Sequence, residues 1–192
     1  MIKSSGLEKI KTAVFISGKG SNLKNLIKYS KKKTSPIVIK LIISNFRKSK
    51  GLKYSKQFNI KKNVINFKKI KLAENKILKL LNENKINFIC LAGFMKILSK
   101  RFIKKFKGKI INIHPSLLPK YKGLNTHEEV LKNKEKFTGC TVHYVNSKLD
   151  SWKIILQRKV KIKKTDSDKT LSAKVLSQEH KLYPAAINKI FN

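Results

Sequence analysis

Thr12-Ala13-Val14-Phe15-Ile16-Ser17-Gly18-Lys19-Gly20-Ser21-Asn22-Leu23 decides the fold of this 192-residue chain. Thr12 to Ser17 is a short apolar run without polar alternation, the pattern of a strand buried on both faces. Gly18 and Gly20 then free the backbone to turn tightly. Beyond Ser21 the apolar residues fall at Leu23, Leu26 and Ile27, which is helical spacing. A buried strand that runs through a glycine turn into a helix opens a parallel α/β sheet.

The alternation continues along the chain. Ile37 to Ser44 reads as a second β-branched strand, and Ile70, Ala73, Ile77, Leu80 and Leu81 mark one face of a helix. Asn87 to Ala92 is another buried strand, broken at Gly93, and Lys109 to Ile113 leads into the segment Asn112-Ile113-His114-Pro115-Ser116-Leu117-Leu118-Pro119. Gly139 to Val145 and Lys153 to Ile162 give two more strands. A last helix begins near Ser167 or Asp168, with Leu171, Val175, Leu182, Ala186 and Ile190 on one stripe, and Pro184 is expected to kink it or mark its last turns. The expected architecture is α/β: a mostly parallel twisted sheet with helices on both faces, Rossmann-like, in a single domain over 1–192. Residues 1–11 are expected to form a loosely ordered N-terminal extension. Ligands of such sheets bind beyond the carboxyl ends of the strands, at the switch point, so chemistry is sought just after each apolar run.

Charge is the loudest compositional signal, at a formal net +36. Only three of the 46 basic residues are arginines (Arg47, Arg101, Arg158), and arginine's planar fork is the usual tool for reading phosphates and bases. The lysines are spread evenly rather than gathered on one element, as a solvated surface would have them. No specific nucleic-acid partner is therefore expected. No apolar run has the roughly 18–20 residues that cross a bilayer, and the first residues carry no apolar core of a secretory signal. Cys90 and Cys140 lie in apolar strand contexts without a CxxC pattern, and read as buried thiols in a reducing compartment. Together these favour a cytoplasmic protein with no membrane partner.

Three post-strand segments carry chemistry. Gly20, Ser21 and Asn22 offer a turn and a helix N-terminus, suited to a phosphate and equally to plain structure. Met95, Lys96, Ile97 and Leu98, after Gly93 and Phe94, can wall a slot for a flat heterocycle or pack a core. In the extended Asn112-Ile113-His114, alternate residues share a face, so an amide and an imidazole converge. That pair is equipment for an oxyanion and a proton transfer; the competing reading is a structural histidine beside a turn stiffened by Pro115 and Pro119. His143 reads as a hydrogen-bonded core residue, and His127 and His180 as caps or packing. No metal-ligand spacing links the histidines, so no metal is expected. A carboxylate from Asp150 against His114 would favour the imidazolium and orient the ring.

Four ordered blocks, ISGKGSNL (16–23), AGFMKILS (92–99), INIHPSLLPKYKGLNTH (111–127) and LD (149–150), with SQEHKLYP (177–184), closely resemble the phosphoribosylglycinamide formyltransferases, folate-dependent enzymes of purine biosynthesis. The resemblance runs in order from about Thr12 to the C-terminus. It implies a formyltransferase-type fold, 10-formyltetrahydrofolate as formyl-donor cosubstrate, glycinamide ribonucleotide as acceptor, no metal, and a monomer or weak homodimer. It implies that Gly20, Ser21 and Asn22 hold the substrate phosphate. It assigns the folate to Met95, Lys96, Ile97, Leu98, Asn112 and the loop of Asn146, Ser147, Lys148 and Leu149. It makes Asn112, His114 and Asp150 the catalytic trio, and places Pro115 and Glu179 at the nucleotide substrate. The chain departs from the pattern at Asp150-Ser151-Trp152-Lys153, where the family has a glycine-rich turn, and at Lys96, where it has arginine. An arginine common near 69–71 is replaced at best by Lys69 or Lys71. Methionyl-tRNA formyltransferases and formyltetrahydrofolate deformylases share part of the motif but carry further domains, and the glycine turn at 18–22 favours a nucleotide substrate over both. The reading from another class is a basic nucleic-acid-binding protein on an enzyme-like scaffold.

Overall fold

The computed structural model describes residues 8–146 and 153–191. Seven strands form one sheet in the order β3-β2-β1-β4-β5-β6-β7: β1 Ile10–Ile16, β2 Ile37–Ser44, β3 Lys61–Val64, β4 Phe88–Leu91, β5 Lys109–His114, β6 Phe137–Tyr144 and β7 Ile154–Lys161. The first five pair in parallel. β5–β6 and β6–β7 are antiparallel. The mostly parallel sheet expected from the apolar runs is thus present, extended at one edge by an antiparallel pair. β1 begins at Ile10, two residues inside the stretch expected to be a loose extension, and Lys9 Nζ donates to the carbonyls of Ser30 and Lys32.

Alternate residues of β1 serve opposite faces. Val14 and Ile16 pack with Leu23, Leu26 and Ile27 of α1 (Ser21–Ser30) and with Val175, Leu182, Tyr183, Ala186 and Ile187 of α6 (Asp168–Phe191). Ala13 and Phe15 pack with Ala73, Ile77 and Leu81 of α3 (Ile70–Glu83) and with Phe102 of α4 (Lys100–Lys105). Burying a side chain of the Leu or Ile class contributes about 1.5–3 kcal/mol, and a strand with both faces occupied collects that at every position. Ile70, placed by periodicity on the buried face of α3, is instead 52% exposed at its first turn.

Two short helices lie among the connections: α2 (Lys53–Phe58), preceded by a 3-10 turn at Lys50–Leu52, and α5 (Thr126–Lys132). α6 continues past Pro184 to Phe191, so the proline marks its last turns. Proline has no N–H for the carbonyl four residues back, which is His180. Asn25 Nδ2 from α1 donates to that carbonyl at 2.7 Å, so the helix continues with its freed acceptor satisfied. Both cysteines are free and buried. Among the described residues no helix is long and apolar enough to cross a membrane.

Candidate functional site

Strand order reverses between β1 and β4: the chain leaves β1 toward β2 and β3, then returns on the other side. The two strand ends there are tied together. Ala92 N donates to Phe15 O, and Ser17 N to Gly93 O. Beside this point Gly20 has φ 74, a left-handed conformation that glycine takes without penalty. A Cβ on it would stand 2.6 Å from Gly51 Cα, so the turn also needs its bare backbone. Ser49 Oγ and Gly51 N both hold the Gly18 carbonyl. α1 then starts with Gly20 as N-cap and no side-chain cap. The first-turn N–H groups of Ser21, Asn22 and Leu23 have no intrahelical acceptor and sit at the positive end of the helix dipole.

The side chain of Asn22 turns elsewhere. Its Nδ2 donates to Glu179 Oε2 of α6 at 2.6 Å, and both residues are buried. Asn22 Oδ1 is buried with no hydrogen-bond partner among the described residues. An acceptor left bare beside a carboxylate suits an N–H or ammonium donor, not a phosphate oxygen. The structure therefore divides the expected phosphate turn: the backbone N–H groups of the first turn are left without intrahelical acceptors, while the Asn22 side chain is engaged by Glu179. Burial raises the Glu179 carboxyl above its usual value, and the Asn22 hydrogen bond pulls the other way.

Asn112 and His114 occupy adjacent same-face positions on β5, opposite His143 and Thr141 of β6. His143 Nδ1 lies 3.0 Å from Tyr144 O, an acceptor, so that nitrogen carries the proton. His143 Nε2 is then an acceptor, and Asn112 Nδ2 donates to it at 3.2 Å. One amide N–H of Asn112 is anchored and the other remains to point at a ligand. His143 is the buried, hydrogen-bonded core residue expected from the sequence, and its register opposite Asn112 on the antiparallel pair also makes it the orienter of that amide.

His114 Nε2 donates to the Tyr121 carbonyl at 2.7 Å. This fixes the neutral tautomer with its lone pair on Nδ1, which makes no hydrogen bond among the described residues. Burial pushes His114 below the usual imidazole value, and the Tyr121 carbonyl pulls the other way. Burial acts likewise on His143, and the Tyr144 carbonyl pulls the other way. The carboxylate expected to support His114, Asp150, lies outside the described residues, as do Ser147, Lys148 and Leu149.

The loop after β4 divides its side chains between core and surface. Leu98 is buried in the core, and Phe94 packs edge-on to Phe15 and Phe67. Met95 and Ile97 are exposed at 60% and 84%. Their backbone is pinned: Ser17 Oγ accepts from Met95 N at 2.7 Å and donates to Asn45 Oδ1 at 2.5 Å. Farther along, Glu74 of α3 accepts from Ser99 N and Oγ. Lys96 lines a groove of about 580 Å³ with Phe46, Arg47, Phe67 and Lys68. Pro115 is half-buried and Asn146 exposed. Among the described residues no group of three or more His, Cys, Asp or Glu is placed to hold a metal ion.

A family model described as formyl transferase matches residues 10–187. The chain is similar to the trifunctional purine biosynthetic protein adenosine-3 of Gallus gallus, 44% identical over 95% of this chain but only 18% of that protein. It is similar to phosphoribosylglycinamide formyltransferase of Haemophilus influenzae, 41% identical over 92% of this chain and 85% of that one. The crystal structure of phosphoribosylglycinamide formyltransferase from Brucella melitensis superposes with a TM-score of 0.90 at 39% identity, covering 95% of this chain and 96% of that one.

Proposed function

The chain belongs to the formyl transferase family, and from that premise we propose that it transfers the formyl group of 10-formyltetrahydrofolate to the amine of glycinamide ribonucleotide in purine biosynthesis. The observation that carries this reading is the convergence at one sheet end of an uncapped helix N-terminus, an unpartnered Asn22 Oδ1 beside Glu179, and an oriented Asn112–His114 pair.

Each feature suits part of that substrate pair. The ribonucleotide phosphate sits on the N–H groups of the Gly20-Ser21-Asn22 turn. The glycinamide end gives its N–H donors to Asn22 Oδ1 and Glu179, alongside Pro115. The folate lies along the backbone of Met95, Lys96, Ile97 and Leu98 and against the loop from Asn146 to Leu149. Its glutamyl carboxylates match the cations Arg47, Lys68 and Lys96 around the adjoining groove.

In the reaction the substrate amine attacks the formyl carbon. A carbon–nitrogen bond forms, the bond from that carbon to N10 of the folate breaks, and one proton passes from the attacking amine to N10. Between these events the formyl oxygen carries negative charge. Asn112 offers it the N–H not used on His143. Protonated His114 offers Nδ1–H, its Nε2–H remaining on Tyr121. A ring pulled down by burial needs a carboxylate to stay protonated, and Asp150 fills that role, also organising the water that relays the proton. No covalent bond to the protein is required.

Incubation with both substrates tests the reading. Folate deformylation that depends on glycinamide ribonucleotide supports transfer, whereas deformylation without it indicates a hydrolase. Removal of an oxyanion donor typically costs about 10²–10³ in rate, so His114→Ala and Asn112→Ala are expected to fall by at least that factor. A His114→Ala enzyme with most of the wild-type kcat would overturn the mechanism.

A further inference from the structure

The carbonyl that receives His114 Nε2–H belongs to an unusual residue. Tyr121 has φ 55, a left-handed conformation that a bulky side chain adopts only when its surroundings hold it there. Two sets of contacts hold it. On the backbone side, Ser116 Oγ donates to the carbonyls of Lys120 and Tyr121 at 2.7 and 3.1 Å. At the far end, the Tyr121 hydroxyl donates to Glu135 Oε1 at 3.1 Å and accepts from Asn133 Nδ2 at 3.2 Å.

Glu135 Oε1 also accepts from Lys120 Nζ at 2.9 Å, so one carboxylate oxygen grips two successive residues of the strap that runs from Ser116 to Tyr121 after β5. Glu135 is itself fixed, its N–H donating to Val130 O in α5. The start of the strap is stapled to the sheet by different groups. Thr141 Oγ1 donates to Ser116 O and accepts from Leu118 N, and Gln157 Nε2 donates to Leu118 O. Its end, at Lys120 and Tyr121, is held on the near side by Ser116, His114 and a Lys120 N–Leu117 O hydrogen bond, and on the far side by the Glu135–Asn133 clamp. An open surface groove of about 600 Å³ adjoins it, lined by Lys120, Tyr121, Glu135 and Thr138.

We propose that Glu135 is a positioning residue for the formyl transfer: by clamping the Tyr121 hydroxyl and the Lys120 ammonium, it holds the Tyr121 carbonyl on His114 Nε2 and thereby keeps Nδ1 turned to the reacting oxygen. Glu135 touches no substrate in this arrangement. It acts through one phenol, one peptide carbonyl and one imidazole. The proposal rests on the reading of His114 given above.

The test uses Glu135→Ala, Tyr121→Phe, their double variant and Glu135→Gln, whose amide oxygen still accepts from both partners. Glu135→Ala and Tyr121→Phe are each expected to lower kcat roughly 10- to 100-fold, the range that a small misplacement of a reacting group produces. KM for both substrates should stay within about twofold. The double variant should be no worse than the weaker single variant, because both break one chain of contacts. Glu135→Gln should keep most of the activity. Long-range proton–nitrogen spectra of the substrate-free protein read the His114 tautomer directly, and Glu135→Ala should lose the Nε2–H preference that wild type shows. Wild-type kcat in Glu135→Ala, additive losses in the double variant, or an unchanged tautomer would overturn the proposal. If wild type transfers no formyl group, the function fails, while the spectra still decide whether Glu135 sets the ring.

Discussion

Asn22 and Glu179, 157 residues apart in sequence, meet in a buried 2.6 Å hydrogen bond that ties the first turn of α1 to the middle of α6. In the proposed function the pair closes the nucleotide end of the site, and its chemistry sets a conflict between stability and binding. Burial raises the Glu179 carboxyl. A carboxyl whose folded pKa exceeds its unfolded value holds its proton more tightly when folded, so stability falls as pH rises through the window between the two values.

Glu179→Gln mimics the protonated form and keeps an acceptor for Asn22. Its melting temperature should equal wild type below about pH 4, the ordinary carboxylate range, and exceed it progressively as pH rises. Activity should move oppositely. Loss of a charged partner for a substrate N–H costs about 1.5–3 kcal/mol, so kcat/KM for glycinamide ribonucleotide should drop roughly 10- to 100-fold. Thermal melts across pH, beside initial rates, check both halves. A variant that melts lower than wild type at pH 8 would contradict the assignment of a buried, reluctant carboxylate.

His143→Phe keeps the ring in the core but deletes the Nε2 acceptor that anchors the Asn112 amide. The amide then rotates, and kcat should fall at least about tenfold, less than the 10²–10³ expected on deleting the donor itself. The folded protein should be no less soluble, and folate binding measured at equilibrium should hardly change. Equal kcat in wild type and variant would show that Asn112 is held by other means.

How much of this was legible beforehand depends on where the signal lies. The strands flanking the switch point could be read because both their faces are buried, which leaves uninterrupted apolar runs at Ala13–Ile16 and Phe88–Leu91. β3 could not: Lys61-Lys62-Asn63-Val64 is a polar edge strand with mostly exposed side chains. α4 escaped for a related reason, since only Phe102 of its six residues is buried and its start depends on the Ser99 cap. Asn112 and His114 were visible as a same-face pair on β5. His143 and Glu135 were not, because their roles come from pairing across chain returns and not from local spacing. The split of Asn22 between backbone and side-chain duties likewise required the position of α6.

All four histidines lie where burial lowers their pKa, and burial is the largest cause for each. His127 Nδ1 and His180 Nε2 are buried without hydrogen-bond partners, as a neutral ring tolerates better than a charged one. A histidine with a depressed folded pKa binds its proton more readily when unfolded. The stability it contributes is complete above the ordinary value near 6.5 and is lost as pH falls through that value toward the folded one. Glu179 opposes this trend, but as one group against the three histidines outside the proposed catalytic trio, His114 being offset by Asp150 in the proposed mechanism. Urea midpoints should therefore be flat between pH 7 and 8 and decline steadily from pH 6.5 to 5. A midpoint that rises over that acid range would show that the histidines are not held neutral.

The continuous α6 yields the most contained prediction. Pro184 removes the N–H that would serve His180 O, and Asn25 supplies a substitute from α1. Asn25→Ala leaves a partly buried carbonyl unpaired, which costs about 1–3 kcal/mol. Pro184→Ala restores a backbone donor at position 184, so the same Asn25→Ala change should then cost much less. The double-mutant cycle, read by denaturant unfolding, should give a coupling of about 0.5–3 kcal/mol, the range for residues that share a partner. Strict additivity would mean that Asn25 stabilises α6 through packing alone, because an amide that merely fills space is indifferent to whether residue 184 carries a proton on its nitrogen.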